Sequence, residues 1–229
     1  MRWLNMRYKL GILGGMGPLA TAKLYEMIID KTQASCDQEH LEMVILNNCT
    51  IPDRTEAIIN GGVDPVEKLN EGIATLEKIG CEYFVIPCNT AHHFKDRLIM
   101  KNIKMIDMIE EALNTIKEIN KNAKVCVLCT DGTKQSKVYE RDNSVNINYP
   151  SVETQKKVME VIYQTKAGFN KQKLLTEIFE TEKKNFDIFL LACTELSIYY
   201  DKYRNNPFII DAMDNLSKKI VIKCGKNLK

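Results

Sequence analysis

Histidine is scarce in this sequence, with three residues in 229, and the Cys126-x-x-Cys129 pair has no second C-x-x-C to complete a metal site. A zinc site of that kind needs four ligands at suitable spacing. We therefore expect no metal, and we expect both cysteines to pack in the core, because they lie inside an apolar run. Basic and acidic residues nearly balance, at 32 and 30. Without a basic stripe, nucleic acid is not an expected partner.

Long apolar runs are also missing. No stretch approaches the roughly 20 residues that a membrane-spanning helix requires, so no membrane partner is expected. The opening residues "MRWLNMRYKL" include basic side chains but no apolar segment typical of a secretory signal. We therefore predict a cytoplasmic protein whose eight cysteines are reduced.

Apolar runs typical of buried strands alternate along the chain with amphipathic stretches typical of helices. Strands are predicted at 8–13, 41–48, 83–88, 102–107, 123–130, 186–193 and 207–211. Helices are predicted at 18–33, 64–80, 108–119, 151–166 and 170–184, and after residue 88. Pro18 suits a first helical position and Gly80 suits a helix end. The alternation predicts an α/β fold with parallel sheets, whose ligand loops lie at the carboxyl ends of the strands.

The two halves of the chain resemble each other. The strands "YFVIPC" and "FDIFLLAC" end in Cys88 and Cys193, and each is followed by a helix and then by an Ile-Asp pair. Cys88 lies 19 positions before Asp107, and Cys193 lies 18 positions before Asp211. We interpret this pattern as a duplication.

A duplication predicts two similar parallel-sheet lobes related by a pseudo-twofold axis, with the active site in the cleft between them. The first lobe is expected to comprise residues 1–105 plus 207–229, and the second residues 106–206. The two cysteines would then face a ligand from opposite sides of the cleft.

Cysteines in strands usually only pack, but these two are predicted at strand ends, next to helix N-termini. Backbone N–H groups and the helix dipole there favour the thiolate and would lower the thiol pKa below about 8.5. Four polar residues follow the two cysteines and could cap those helices or hold a substrate carboxylate. They are Asn89, Thr90, Thr194 and Glu195.

The turn "GMGPLA" at residues 15–20 fits the G-x-G-x-x-A pattern of dinucleotide-binding loops. Such a site also needs an acidic residue at the end of the second strand, for the ribose hydroxyls. Here that strand ends in Asn47-Asn48-Cys49. We therefore expect the turn to line the cleft, with Met16 directed towards a small ligand.

Three other side chains are open to two interpretations each. Arg54 could bind a carboxylate through two parallel hydrogen bonds, or it could form a surface pair with Asp53. Lys166 could bind a carboxylate or could offset the helix dipole at a helix end. His92, one turn after Cys88, could contact the thiol or a substrate, but we expect it on a solvated face.

Taken together, the segments "GGMGP", "IPDRT", "PCNTAHH", "KAG" and "ACTEL" resemble the aspartate/glutamate racemase family, in its aspartate racemase branch. The resemblance covers nearly the whole chain, in order. It implies a racemase that needs no cofactor, acts on a small acidic amino acid and is usually a homodimer. It implies that Cys88 and Cys193 are the catalytic residues.

The resemblance also assigns binding residues. Arg54 and Lys166 would recognise the distal carboxylate of the substrate, and Met16 would come from the glycine turn. The residues that would hold the α-carboxylate and amino group are Asn89, Thr90 and Thr194. We assign three supporting residues, because neighbouring charge and hydroxyl groups can tune a thiol or bind substrate: Asp53, Thr130 and Glu195.

The hypothesis is a two-base proton transfer in which one cysteine removes the α-proton and the other delivers a proton to the opposite face. Two cationic residues favour a substrate with a second carboxylate, aspartate before glutamate. One alternative is a related enzyme acting on glutamate, a hydantoin or maleate. Others are a hydrolase with one nucleophilic cysteine and His92 as base, or an amino-acid-binding protein without catalysis.

Overall fold

The computed structural model of the protein describes residues 8–229, so the prediction about a secretory signal concerns mainly residues outside this range. The first sheet contains four strands: β1 (Leu10–Gly14), β2 (Met43–Asn47), β3 (Tyr83–Val85) and β4 (Lys104–Met105). Their order is β2-β1-β3-β4, and all neighbouring strands are parallel. Strand β1 is buried along its whole length, as expected for a central parallel strand covered on both faces.

The second sheet repeats the first. Its strands are β5 (Lys124–Leu128), β6 (Asn146–Asn148), β7 (Ile188–Leu191) and β8 (Ile209–Asp211). Their order is β6-β5-β7-β8, again wholly parallel. The predicted α/β fold with two similar parallel-sheet lobes is therefore confirmed.

Helices connect the strands: α1 (Pro18–Lys31), α2 (Arg54–Ile59), α3 (Val66–Ile79), α4 (Met108–Asn120), α5 (Asp131–Ser136), α6 (Val152–Lys166), α7 (Gln172–Glu182), α8 (Thr194–Ser197) and α9 (Ala212–Lys223). Pro18 stands at the first position of α1, and Gly80 ends α3 with a left-handed backbone, as the sequence predicts. The two Ile-Asp pairs also have equivalent roles. Asp107 and Asp211 cap α4 and α9 by accepting hydrogen bonds from backbone N–H groups.

Strand β8 lies in the second sheet, paired with β7. The prediction that residues 207–229 belong to the first lobe is therefore wrong for this strand. The repeat gives the reason, since β8 occupies the sheet edge that β4 occupies in the first sheet. Helix α9, which follows β8, packs against both α1 and α4 and so joins the two lobes.

Four of the named helices and strands were not predicted, namely α2, α5, β6 and α9. The first three contain six, six and three residues, too few for hydrophobic periodicity to reveal them, whereas α9 contains twelve. The helix predicted after residue 88 is a 3₁₀ helix over Thr90–Arg97.

The larger of two apolar clusters contains residues of both sheets, including Ile12 of β1 and Leu190 of β7. The lobes therefore share part of their core. Cys126 and Cys129 are fully buried in this cluster, which confirms that they pack in the core. No helix among residues 8–229 is long and apolar enough to cross a membrane.

Candidate active site

A narrow cavity lies between the two lobes, at the carboxyl ends of their strands. About 320 Å³ of space between atoms lies within it, open solvent at its mouth included. All the site residues predicted from the sequence line it: Met16, Asp53, Arg54, Cys88, Asn89, Thr90, Thr130, Lys166, Cys193, Thr194 and Glu195. Thr55 and Ala192 also line it and were not predicted.

The glycine turn after β1 forms one wall of the cavity. Gly15 has a φ of 92°, and a Cβ there would lie 2.4 Å from the backbone carbon of Asn48, so only glycine fits. The Gly15 N–H donates to the Thr21 hydroxyl, which in turn donates to the Gly17 carbonyl. These contacts fix the turn against α1 and place Met16 at the cavity, as the sequence analysis expects.

Arg54 is buried at the start of α2, and its guanidinium donates to backbone carbonyls of Met16, Ile51 and Pro52. Its Nε has no hydrogen-bond partner among the described residues. Asp53 instead caps α2, accepting from two backbone N–H groups. The expected surface pair between Asp53 and Arg54 is therefore not formed, and the Arg54 charge is not neutralised by a protein carboxylate in the described part of the chain.

Asn89 and Thr90, which follow Cys88, make contacts across the cleft. The Tyr139 hydroxyl donates to Asn89 Oδ1 at 2.5 Å, and Asn89 Nδ2 is buried without a partner among residues 8–229. The Thr90 hydroxyl bonds the hydroxyls of Thr130 and Thr133, at 3.0 and 2.8 Å. Neither side chain caps the following 3₁₀ helix, so that alternative is wrong. The contacts hold the Cys88 segment against the second lobe.

Cys193 differs from the prediction. Its thiol donates a hydrogen bond to Glu195 Oε2 at 3.0 Å, and the Thr194 hydroxyl lies 3.4 Å from the same oxygen. Burial, together with the negative charge of Glu195, raises the pKa of Cys193 well above its usual value. The predicted lowering of this thiol pKa by a helix N-terminus is therefore wrong. Neither Thr194 nor Glu195 caps α8 through its side chain.

Lys166 is the last residue of α6, and its Nζ lies 3.8 Å from Glu195 Oε1. Burial opposes the charge of this lysine, but Glu195, Cys193 and Cys88 together raise its pKa. Lys166 therefore stays cationic and faces the two sulfurs and the Glu195 carboxylate.

His92 does not lie on a solvated face, and its ring nitrogens are not free to accept a proton from a thiol. It is 1% exposed, its Nδ1 bonds the Cys88 carbonyl at 2.9 Å, and its Nε2 accepts from the Met108 N–H at 3.4 Å. Both expectations for this residue, contact with the thiol and solvent exposure, are wrong. With both nitrogens bonded to backbone, His92 cannot serve as the base of a cysteine hydrolase in this arrangement.

Two residues that sequence reasoning missed, Tyr139 and Thr133, support the site. Tyr139 lies in a short 3₁₀ helix, in a part of the sequence without a clear periodic pattern. Thr133 follows the N-cap Thr130 by three residues, and its N–H donates to the Thr130 hydroxyl. That T-x-x-T spacing is the one sequence signal that could have found it.

Comparisons with known proteins concern the chain as a whole. The family model for Asp/Glu/hydantoin racemases matches residues 13–218. The broad-specificity amino-acid racemase RacX of Bacillus subtilis is 31% identical over 93% of this chain and 96% of its own. The structure of Picrophilus torridus aspartate racemase is similar, with a TM-score of 0.87, 32% identity and 96% of both chains covered. Glutamate racemase from Campylobacter jejuni shares the fold, with 20% identity, a TM-score of 0.61, and coverage of 96% and 86%.

Proposed function

This chain belongs to the Asp/Glu/hydantoin racemase family of amino-acid racemases, and we propose that it interconverts L- and D-aspartate. The reaction proceeds without a cofactor, through proton transfers by Cys88 and Cys193. The observation that carries the proposal is that both cysteines line one cavity, each following the third strand of its own sheet.

The proposed reaction moves one proton off and one proton onto the α-carbon. One cysteine, as thiolate, takes the α-proton and becomes a thiol, leaving a planar carbanion. The other cysteine, as thiol, gives its proton to the opposite face and becomes a thiolate. The configuration is inverted, and the enzyme ends with its two protonation states exchanged.

The carbanion needs strong stabilisation, because no conjugated electron sink is available to it. Donors aimed at the α-carboxylate would supply roughly 3–4 kcal/mol each in a site closed to water. We assign this role to Asn89, whose buried Nδ2 lacks a partner among the described residues, and to the Thr90 and Thr194 hydroxyls.

A second carboxylate on the substrate is supported by the charges of the cavity. Arg54 has an unpartnered Nε within residues 8–229 and no carboxylate beside it, and Lys166 remains cationic. A dicarboxylic amino acid supplies an anion for Arg54, and Lys166, although it lies 3.8 Å from Glu195 Oε1, adds positive charge to the same cavity. Glu195 and Asp53 supply negative charge that can bind the substrate ammonium group.

Two wider specificities are the competing candidates. Glutamate would need one more methylene of space in a narrow cavity. The similarity to a racemase named for broad specificity supports action on amino acids without a second carboxylate. An unneutralised Arg54 argues against that second possibility, because an apolar side chain would leave its charge buried and unpaired.

The test is a chiral assay of the purified protein, without added cofactor, over L- and D-aspartate, glutamate and a set of neutral amino acids in deuterated water. We expect aspartate to be racemised fastest, with deuterium at the α-carbon of the product. Cys88→Ser and Cys193→Ser should each nearly abolish racemisation. Normal turnover in either variant would overturn the two-base mechanism, and no α-exchange with any amino acid would overturn racemase activity.

A homodimer and a cytoplasmic location are also part of this proposal. The dimer is supported by the resemblance to the aspartate racemase branch. One chain has a mass of 26.3 kDa. Light scattering coupled to size exclusion should show about twice that mass, and the mass of a single chain would contradict the dimer.

A further inference from the structure

His92 is the first histidine of "PCNTAHH", and no step of the proposed reaction uses it. It is buried directly behind Cys88, with its Nδ1 2.9 Å from the Cys88 carbonyl oxygen and its Nε2 3.4 Å from the Met108 nitrogen. A carbonyl only accepts and a backbone N–H only donates. These partners therefore fix one tautomer, neutral imidazole with its proton on Nδ1.

The backbone of Cys88 lacks the support that a sheet gives. Strand β3 ends at Val85, three residues earlier, and the Cys88 N–H donates to the nearby Ile86 carbonyl. The Cys88 carbonyl accepts from the Ala91 N–H at 3.2 Å and from His92. The imidazole thus links the Cys88 carbonyl to the start of α4, in addition to the contacts that the Asn89 and Thr90 side chains make with the second lobe.

Cys193 is held differently. The residue before it, Ala192, donates its N–H to the Leu128 carbonyl of β5, so the sheet ladder reaches almost to the cysteine. Four residues after Cys193 the chain has Ser197, where four residues after Cys88 it has His92. The repeat therefore gives equivalent backbone positions but different anchors.

The other side of the His92 ring rests on the start of α4. Met108 is the first residue of that helix, so its N–H has no partner within the helix and needs an acceptor from elsewhere. Asp107 caps the same helix end, lies 3.7 Å from Nε2 through its Oδ1, and binds Lys95 Nζ at 2.6 Å through its Oδ2. The ring is therefore oriented on both sides.

We propose that His92 is a positioning residue, which fixes the Cys88 carbonyl to the N-terminus of α4 and so sets where the Cys88 thiol meets the substrate. The role in catalysis rests on the proposed racemase function; the positioning itself does not. Burial lowers the pKa of His92, although Asp107 and the bond to the Cys88 carbonyl oppose this, and so favours the neutral ring that the contact with the Met108 N–H requires. Lys95 and Arg141, the other charged groups near the ring, act in the same direction as burial.

The test compares His92→Asn with His92→Gln. The amide nitrogen of asparagine can occupy the place of Nδ1 and keep the bond to the Cys88 carbonyl, whereas that of glutamine lies near the place of Nε2 and loses it. We expect kcat to fall about 100-fold in His92→Gln, the effect of displacing a reacting group by about 1 Å, with KM nearly unchanged. His92→Asn, which keeps the carbonyl bond but not the contact with the Met108 N–H, should recover part of the loss.

Alkylation of the two cysteines by iodoacetamide, followed by peptide mass spectrometry, gives a readout that does not need racemase activity. In His92→Gln the rate at Cys88 should change several-fold while the rate at Cys193, in the same molecule, does not. In His92→Asn the rate at Cys88 should lie between those of the wild type and His92→Gln, with the rate at Cys193 unchanged. Equal changes at both cysteines in the two variants, or no change at Cys88 in His92→Gln, would overturn the proposal. A wild-type enzyme that racemises nothing would overturn the function, while the alkylation rates still decide the positioning.

Discussion

Glu195→Gln is the substitution that best tests the chemistry of this site. The Cys193 thiol donates to Glu195 Oε2 at 3.0 Å, so the carboxylate holds a proton on that sulfur in the free enzyme. Two unit charges about 4 Å apart interact by about 4 kcal/mol at an effective dielectric constant of about 20. Removing this repulsion would lower the pKa of Cys193, which burial and the Glu195 charge hold well above its usual value. Lys166, released from Glu195, would lower it further.

The measurement is the pH dependence of iodoacetamide alkylation at Cys193, read by peptide mass spectrometry, with Cys88 as an internal reference. The midpoint, and not the rate, is the quantity to compare, because a thiolate becomes less nucleophilic as its pKa falls. We expect the Cys193 midpoint to move to lower pH in Glu195→Gln. The alkaline limb of the racemisation profile should move the same way, since Cys193 is then no longer a thiol at that pH.

Asp53→Asn is the matched control. Asp53 also lines the cavity as a carboxylate, but it caps α2 and, within residues 8–229, has no hydrogen bond to a thiol. Asparagine caps a helix about as well. Its Cys193 midpoint should stay near that of the wild type. If the Cys193 midpoint is unchanged or higher in Glu195→Gln, or if both variants shift it equally, the Glu195 carboxylate does not hold the proton and the reasoning fails.

Two predictions concern stability. Gly15→Ala should destabilise the fold by more than about 1 kcal/mol, because its φ of 92° disfavours alanine and its Cβ would meet the Asn48 backbone at 2.4 Å. Gly168 has a φ of 88° but open space around it, so Gly168→Ala carries the backbone strain without the steric clash. Urea unfolding should therefore show a larger loss of stability in Gly15→Ala, and equal losses in the two variants would contradict the clash. Burial raises the pKa of Asp211 from 3.8 to about 7, so the folded state binds the extra proton and the wild type loses stability as pH rises between those values. The wild type should lose up to about 1.4 kcal/mol of unfolding free energy per pH unit in this range. Asp211→Asn, which keeps the cap, should not show this loss when unfolding is measured at several pH values. Parallel profiles for the two proteins would refute the prediction.

The sequence predicted the fold well where pattern and topology leave few choices. Alternating apolar strands and amphipathic helices require a parallel α/β arrangement, and Gly80 and Pro18 marked helix ends correctly. Strand β8 was assigned to the wrong lobe because an isolated Ile-Ile-Asp segment does not reveal its pairing partner. Short helices such as α2 were missed because six residues carry too little periodicity.

The positions of the candidate site residues could be predicted because they follow strands whose carboxyl ends meet at one edge. Their protonation and partners could not, since these depend on burial and rotamers. The sequence places a helix start after Cys193 but does not show that Glu195 turns back to accept from the thiol. Likewise, nothing in "CNTAHH" shows that His92 points into the core and not into solvent.

The duplication therefore gives two cysteines on equivalent backbones in unlike surroundings, and this has a kinetic consequence. In the proposed mechanism Cys193 starts as the thiol, so the free enzyme is prepared for the enantiomer whose α-proton faces Cys88. Enantiomers have equal free energies in water, so the equilibrium constant is one and kcat/KM must be equal in the two directions. The asymmetry can then appear only as kcat and KM that differ between the enantiomers in the same proportion. Identical kcat and KM for L- and D-aspartate, unchanged in Glu195→Gln, would show that the surroundings of the two thiols do not matter to turnover.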